Sequence, residues 1–431
     1  MKNPNEDVSI DTSALNKRLM GNIVRLPLEV RQALNSEVVT DEGEHLLDFW
    51  GDEGVCSLGY NSTAYRSAVQ DFLSTGVPHQ LPDVYPNDVR WNAAEIICER
   101  TGMDRIFFSN SGTEAVEAAI KLARKHWWDK EDHNRHDRIG KRHLILTVEG
   151  NFHGRTGLSM ASGDYRVSPY HRHGFGPLAQ GFGVIAPDEN FKFWQVVTDS
   201  REHERREVEW DEVAAVIFAP VLGNNLVKTY PTAFFASLDE IRDRTGTLII
   251  HDDVQAGTGR AGQYATWQGV AAGVAAAAKP DIMTLGKGIA MGHPMSCMLA
   301  SEEIAKVFTP GVHFNTFGGA PFCCYLAMRV FLWLDEHLDW VRKKGKVIRD
   351  FFEAEDWIVE HDGAGLLNAF TPDFDGYNGF DFMHAARLNG LLLATHRPLG
   401  PIRFTPPLNI SDDDLDRALK LLRVTRQGMG L

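Results

Sequence analysis

Four short apolar runs constrain the fold of this chain more than any other feature: Ile106–Phe108, Leu144–Val148, Ala214–Phe218 and Leu248–Ile250. Each is too short for a buried helix, is bounded by turn residues, and is separated from the next by sequence of helical periodicity. A strand that is apolar on both faces has to be covered on both faces. Alternation with helices provides that cover, which predicts a mostly parallel sheet flanked by helices over roughly Asn87–Phe317. Beyond it, helical patterns (Leu326–Gly345, Asp412–Gln427) mix with short strands and predict a smaller α+β domain. Residues 1–40 are polar, with an amphipathic patch around Leu26–Leu34, and read as an N-terminal arm. Asp41–Gly43 reads as a turn leading into a strand at Leu46–Phe49. The expected division is 1–60 for the arm and part of the small domain, 61–320 for the large domain and 321–431 for the C-terminal small domain. Two charged segments, Asp129–Arg142 and Asp199–Asp211, read as solvated insertions.

The function classes open to such a chain are narrowed by its charge. A formal net charge of −14 argues against a general nucleic-acid or anionic-membrane partner. Cys56, Cys98, Cys297, Cys323 and Cys324 show no metal-ligand spacing, so free thiols and no metal site are expected. The segment Met1–Lys17 has no apolar core of a secretory signal, and the alanine-rich stretch Val270–Ala278 is too short to span a bilayer. A cytoplasmic enzyme is the expectation.

Ligands of an open parallel sheet bind beyond the carboxyl ends of its strands, and the chemistry of this chain lies at those ends. After Phe108 comes Ser109-Asn110-Ser111-Gly112-Thr113-Glu114, a small-residue turn opening a helix whose free amides suit a phosphate. After Val148 comes Glu149-Gly150-Asn151-Phe152-His153-Gly154-Arg155, which offers an aromatic for a flat ring and an arginine for a carboxylate. His251-Asp252-Asp253 places acids at a strand end, where facing a pyridinium nitrogen would offset the cost of burying them. Gly286-Lys287-Gly288 places a lysine in apolar surroundings that favour its neutral, imine-forming state.

In this order and spacing the motifs resemble the class III (ornithine/acetylornithine-type) aminotransferases, which are fold-type I pyridoxal-phosphate enzymes. The resemblance spans about residues 36–410. It rests on Ser111–Ala115, Phe152–Thr156, Asp252–Gln255 with Gly257 and Gly259-Arg260, Thr284–Gly288 and Thr316–Gly319. It implies pyridoxal 5'-phosphate bound as a Schiff base to Lys287, which would also move the substrate proton. Asp252 would face the ring nitrogen, Val254 would pack on the ring, and Gln255 would lie near its hydroxyl. Phe152, beside His153, would stack on the other face. Ser111, Gly112 and Thr113 would hold the phosphate, joined by Thr316 from the second subunit of a homodimer. Arg403 and Arg155 would bind substrate carboxylate. The implied reaction is amino-group transfer between an amino acid or amine and a keto acid or aldehyde.

Three departures stand out. Where many such transaminases carry a glutamate able to mask the carboxylate-binding arginine, this chain reads Pro220-Val221-Leu222-Gly223-Asn224-Asn225. Asn224 cannot form that ion pair and looks more like the aminomutase branch, which leaves aminomutase, decarboxylase and racemase outcomes open. Asp253 stands where glutamate is usual. Asp52-Glu53 falls near the substrate entrance, where these acids are expected either to recognise a distal amino group of the substrate or to form an exposed acidic turn.

Overall fold

The computed structural model describes residues 28–131, 139–164, 166, 171–192, 194–197, 205–223, 226–269 and 279–429. The beginning of the expected arm, parts of both charged insertions, the alanine-rich stretch 270–278 and Asn224 lie outside them. The strands in chain order begin with β1 (Val30–Leu34), β2 (Glu37–Thr40) and β3 (His45–Asp48). The larger group follows: β4 (Arg105–Ser109), β5 (Leu144–Val148), β6 (Phe182–Pro187), β7 (Trp194–Val197), β8 (Arg205–Glu207), β9 (Val213–Phe218), β10 (Val221–Leu222), β11 (Lys228–Thr229), β12 (Leu248–Asp252), β13 (Ile282–Leu285) and β14 (Ser296–Ala300). The last are β15 (Ile358–Ala364), β16 (Leu367–Pro372), β17 (Leu391–Leu392) and β18 (Ile402–Phe404).

The main sheet has the order β4-β14-β13-β12-β9-β5-β6-β7-β8. Its central run β13-β12-β9-β5-β6 is parallel throughout. All four expected apolar runs fall in it or on its edge strand β4. Every residue of β9, β12, β13 and β14 is buried, which explains why these strands show no polar alternation. Burying one Val, Leu or Ile contributes about 1.5–3 kcal/mol, so this run is the energetic centre of the large unit. The antiparallel strand β14 wedged between β4 and β13, and the antiparallel extension β7-β8, were not anticipated. The helix Gly112–Lys130 lies against this sheet and buries Val116, Ala119, Ile120 and Ala123, the apolar positions of its sequence pattern.

Residues 30–40, expected in the arm, form the β1-β2 hairpin instead. Its outer strand is mostly exposed, so its residues lack the apolar signature of a strand. The sheet β1-β2-β3 is completed by β17, which pairs with β3 in parallel through Leu391 opposite Leu47. A second sheet, β15-β16-β18, packs on the long helix Pro321–Ala354. That contact is close: a Cβ at Gly345 would fall 1.9 Å from the Gly365 carbonyl oxygen. All five cysteines are free thiols.

Candidate active site

The phosphate-type cradle is built where β4 ends. Ser109 Oγ and Ser296 Oγ are 2.7 Å apart, and Ser296 Oγ donates to the Ser111 carbonyl at 2.7 Å. Ser111 caps the helix by accepting from the Glu114 amide at 3.4 Å. The Glu114 carboxylate in turn accepts from the Asn110 amide and side chain, each at 2.9 Å. Gly112 is required by close approach, since a Cβ there would lie 2.5 Å from Val254 Cγ1. Gly286 meets the same point, its Cβ position lying 3.2 Å from Val254 Cγ1 and 3.5 Å from Gly112 Cα. Thr113 Oγ1 lies 2.6 Å from Thr156 Oγ1 and contacts Ser159 Oγ, tying the cradle to the Phe152–Thr156 loop.

Asp252 stands at the carboxyl end of β12 and is 7% exposed. His153 Nδ1 lies 2.6 Å from its Oδ2, and His153 Nε2 lies 3.0 Å from Thr147 Oγ1 on β5. With the proton on Nδ1, the ring donates to Asp252 and accepts from Thr147, so both ring atoms are satisfied in one tautomer. Thr284 Oγ1 and the Val254 amide each donate to the other carboxylate oxygen at 3.2 Å. Asp253 points the opposite way, accepting from the Thr266 amide at 2.7 Å and its hydroxyl at 2.5 Å. Burial and the neighbouring Asp252 charge push Asp253 up to about 7. The two adjacent acids therefore differ: Asp252 belongs to the site and Asp253 braces the loop behind it.

Lys287 follows β13 in a left-handed conformation, φ 46°, and its side chain is 27% exposed. Loss of hydration pulls its pKa below the ordinary amine range, with the Glu53 carboxylate opposing. Asp252 also bears on its charge. The amine lies 3.6 Å from Glu53 Oε2 and within electrostatic reach of Asp252.

Glu53, expected near the substrate entrance, makes the most contacts of the site's acids. Its Oε2 pairs with Arg403 Nη1, accepts from Gln255 Nε2 at 3.1 Å and lies 3.6 Å from Lys287 Nζ. Its Oε1 lies 3.2 Å from His396 Nε2 and 3.4 Å from Trp50 Nε1. Burial would raise its pKa, but His396, Arg403 and Lys287 together hold it well below the usual carboxylate range. Arg403, on β18, is 3% exposed. Asp52, by contrast, is exposed. Gln255 reaches Glu53 by lying across Gly223, where a Cβ would fall 1.7 Å from its Oε1.

The remaining expected residues sit at the mouth. Phe152 is half-buried and meets the His171 ring at 5.5 Å. Arg155 is exposed, with Nη2 3.0 Å from His171 Nε2. Thr316 is exposed, and its carbonyl accepts from Gln80 at 3.3 Å. His396, His171 and Thr147 were missed by sequence reasoning, and Thr284 was read only as part of the lysine motif, without its contact to Asp252. The threonines sit on apolar strands where hydroxyls at strand ends could have been noticed, whereas nothing local marks His396.

These residues fit pyridoxal phosphate. A side-chain-free cradle at Gly112, an acid held by a histidine and a partly desolvated lysine would suit its phosphate, ring nitrogen and aldehyde respectively.

A family model described as aminotransferase class-III matches residues 21–425. The acetylornithine aminotransferase of Nostoc sp. is 32% identical over 422 residues, covering 95% of this chain and 92% of that protein. The acetylornithine aminotransferase of Aquifex aeolicus is 31% identical over 409 residues, covering 94% and 98%. Among solved structures, the ornithine aminotransferase of Toxoplasma gondii ME49 superposes with a TM-score of 0.82 at 24% identity, covering 97% of this chain and 95% of that one. A PLP-bound amine transaminase from an uncultivated Pseudomonas species gives 0.77 at 22%, covering 95% and 98%.

Proposed function

The chain belongs to the class-III aminotransferases, pyridoxal-phosphate-dependent enzymes, and from that premise we propose how its residues divide the transfer of an amino group. It is a transaminase working between an amino acid, ω-amino acid or amine and a keto acid or aldehyde. The observation that carries the division of labour is the position of Lys287, 3.6 Å from the Glu53 carboxylate that pairs with Arg403 and within electrostatic reach of Asp252.

Pyridoxal phosphate, when bound, supplies the aldehyde that takes up the amino group and a protonated ring that withdraws electrons. Asp252, oriented by His153 and Thr284, would face the ring nitrogen and hold the proton there. Lys287 would hold the cofactor through its amine, and the same amine would move the proton at the substrate carbon. Ser111, Gly112 and Thr113 would take the phosphate, Val254 and Phe152 would bracket the ring, and Gln255 would lie near its hydroxyl. Arg403 orients a substrate carboxylate and Arg155 offers a second cation at the mouth. The names of the relatives support an ω-amine of an ornithine-type amino acid as one donor class.

Two copies of the chain are taken to complete the site. Support comes from exposed Thr316, flanked by Phe314 at 64% and Phe317 at 65% exposure; Thr316 would reach the phosphate of a second copy. The large unit is read as 61–320, with the smaller one assembled from 1–60 and 321–431. Among the described residues no helix is long and apolar enough to cross a membrane, and a cytoplasmic location is part of the proposal. The test is a half-reaction. Holoenzyme mixed with candidate amines should convert its cofactor to the amine form without releasing carbon dioxide. Gas release or racemised substrate without conversion would overturn transfer.

A further inference from the structure

The segment 220–223 brings no acid to Arg403, yet Arg403 is paired. The acid comes from the other end of the chain. A buried guanidinium with no partner is strongly unfavourable, and Glu53 satisfies that need from the turn Gly51–Gly54. All four residues of this turn have positive φ, at 56°, 49°, 64° and 84°. Two of them, Asp52 and Glu53, carry side chains and so bear the steric cost of the left-handed region. The turn is pinned at both ends. Asp48 Oδ1 accepts from the Trp50 and Gly51 amides at 2.9 Å each, and Arg260 reaches the Gly54 carbonyl at 3.4 Å. Between those pins, exposed Asp52 offers no anchor, and the Glu53 carboxylate holds the strained middle in place.

We propose that Glu53 is a displaceable internal carboxylate that closes the Arg403 site and thereby sorts substrates by where their carboxylate lies; this rests on the transaminase reading above. The oxygen bound to Arg403 is 3.6 Å from Lys287 Nζ. A substrate carboxylate replacing it must therefore be attached to the reacting carbon itself. One half-reaction takes an α-amino or α-keto acid, which displaces Glu53 and lets the turn relax. The other takes an amine whose reacting carbon bears no carboxylate, with Glu53 left in place to neutralise Arg403. Gln255, lying across Gly223, helps return Glu53 to its seat.

The test is calorimetric titration of holoenzyme with hexanoate, a carboxylate that cannot react. Glu53→Gln should bind it at least tenfold more tightly than wild type, and the gain should vanish in Glu53→Gln/Arg403→Met. Gly223→Ala, which crowds Gln255 and keeps the acid, should give an intermediate gain of about threefold and serves if the first variant folds poorly. In half-reactions, Glu53→Gln should lower KM for L-glutamate and raise it for hexylamine. Unchanged hexanoate affinity in both Glu53→Gln and Gly223→Ala, or a gain that survives loss of Arg403, overturns the proposal. If neither amine converts the cofactor in wild type while the hexanoate pattern holds, it is the transaminase reading that fails, not the gate.

Discussion

His153 Nδ1 lies 2.6 Å from Asp252 Oδ2, and the far side of the same ring rests 3.0 Å from Thr147. A histidine buried between a carboxylate and a strand hydroxyl has one tautomer available, and the carboxylate has one orientation. A hydrogen bond to a charged group contributes about 1.5–3 kcal/mol. His153→Leu is therefore expected to lower kcat by roughly tenfold to a hundredfold, with little change in KM. Asp252→Asn should lose more, because it removes the charge as well as its orientation. Steady-state kinetics on the two variants checks this; equal losses in both would remove the distinction between holding the proton and positioning the holder.

Lys287→Ala should abolish the cofactor's lysine-linked visible absorbance and slow transfer by about a thousandfold or more, the range removed with a positioned proton-transfer group. Spectra and single-turnover rates read the two effects separately. Added methylamine should restore part of the rate. Full activity in the variant would show that another residue carries the proton.

Gly112→Ala places a methyl group 2.5 Å from Val254 Cγ1, in a region with no slack, and overpacking of this kind costs about 1–3 kcal/mol. Cofactor affinity, measured by fluorescence titration of the apoenzyme, is expected to fall about tenfold or more. The double variant Gly112→Ala/Val254→Ala should recover much of that loss. Unaltered affinity in the first variant would place the phosphate elsewhere.

His251 is buried in β12 against the Phe218 ring at 4.8 Å, and among the described residues its Nδ1 has no hydrogen-bond partner. Burial pulls its pKa down to about 3. The unfolded chain takes up a proton near pH 6.5 and the folded chain does not, so stability is lost as pH falls below about 6.5. At pH 5 the loss from this group is about 2 kcal/mol. His251→Met should flatten the decline of Tm between pH 7 and 5. A decline of the same slope in the variant would assign the acid sensitivity to other groups.

The parts of this structure that could be read from the chain are those whose environment is uniform along it. β5, β9 and β12 are buried on both faces, so their apolar runs have no competing explanation. The Gly286-Lys287-Gly288 and Ser111-Gly112-Thr113 turns carry their constraint in adjacent residues. β1 was misread because Val30-Arg31-Gln32-Ala33-Leu34 is largely exposed and its pairing, not its composition, makes it a strand. The role of Glu53 was hidden for a different reason. Its partners Arg403, Gln255 and His396 come from distant parts of the sequence, and the turn that presents it depends on Asp48 and Arg260. The missing acid at 224 was legible; its replacement was not.

The parallel pairing of β3 with β17 joins residue 47 to residue 391. Contacts so distant along the chain form slowly and only after the intervening loop has closed. On the ribosome, the main sheet and Lys287 emerge well before β17 and β18. A nascent chain therefore exposes its lysine and phosphate cradle before Arg403 has been synthesised and before β3 has its neighbour. The carboxylate-binding end of the site is therefore the last part of it to be completed, when the final strands close on the first.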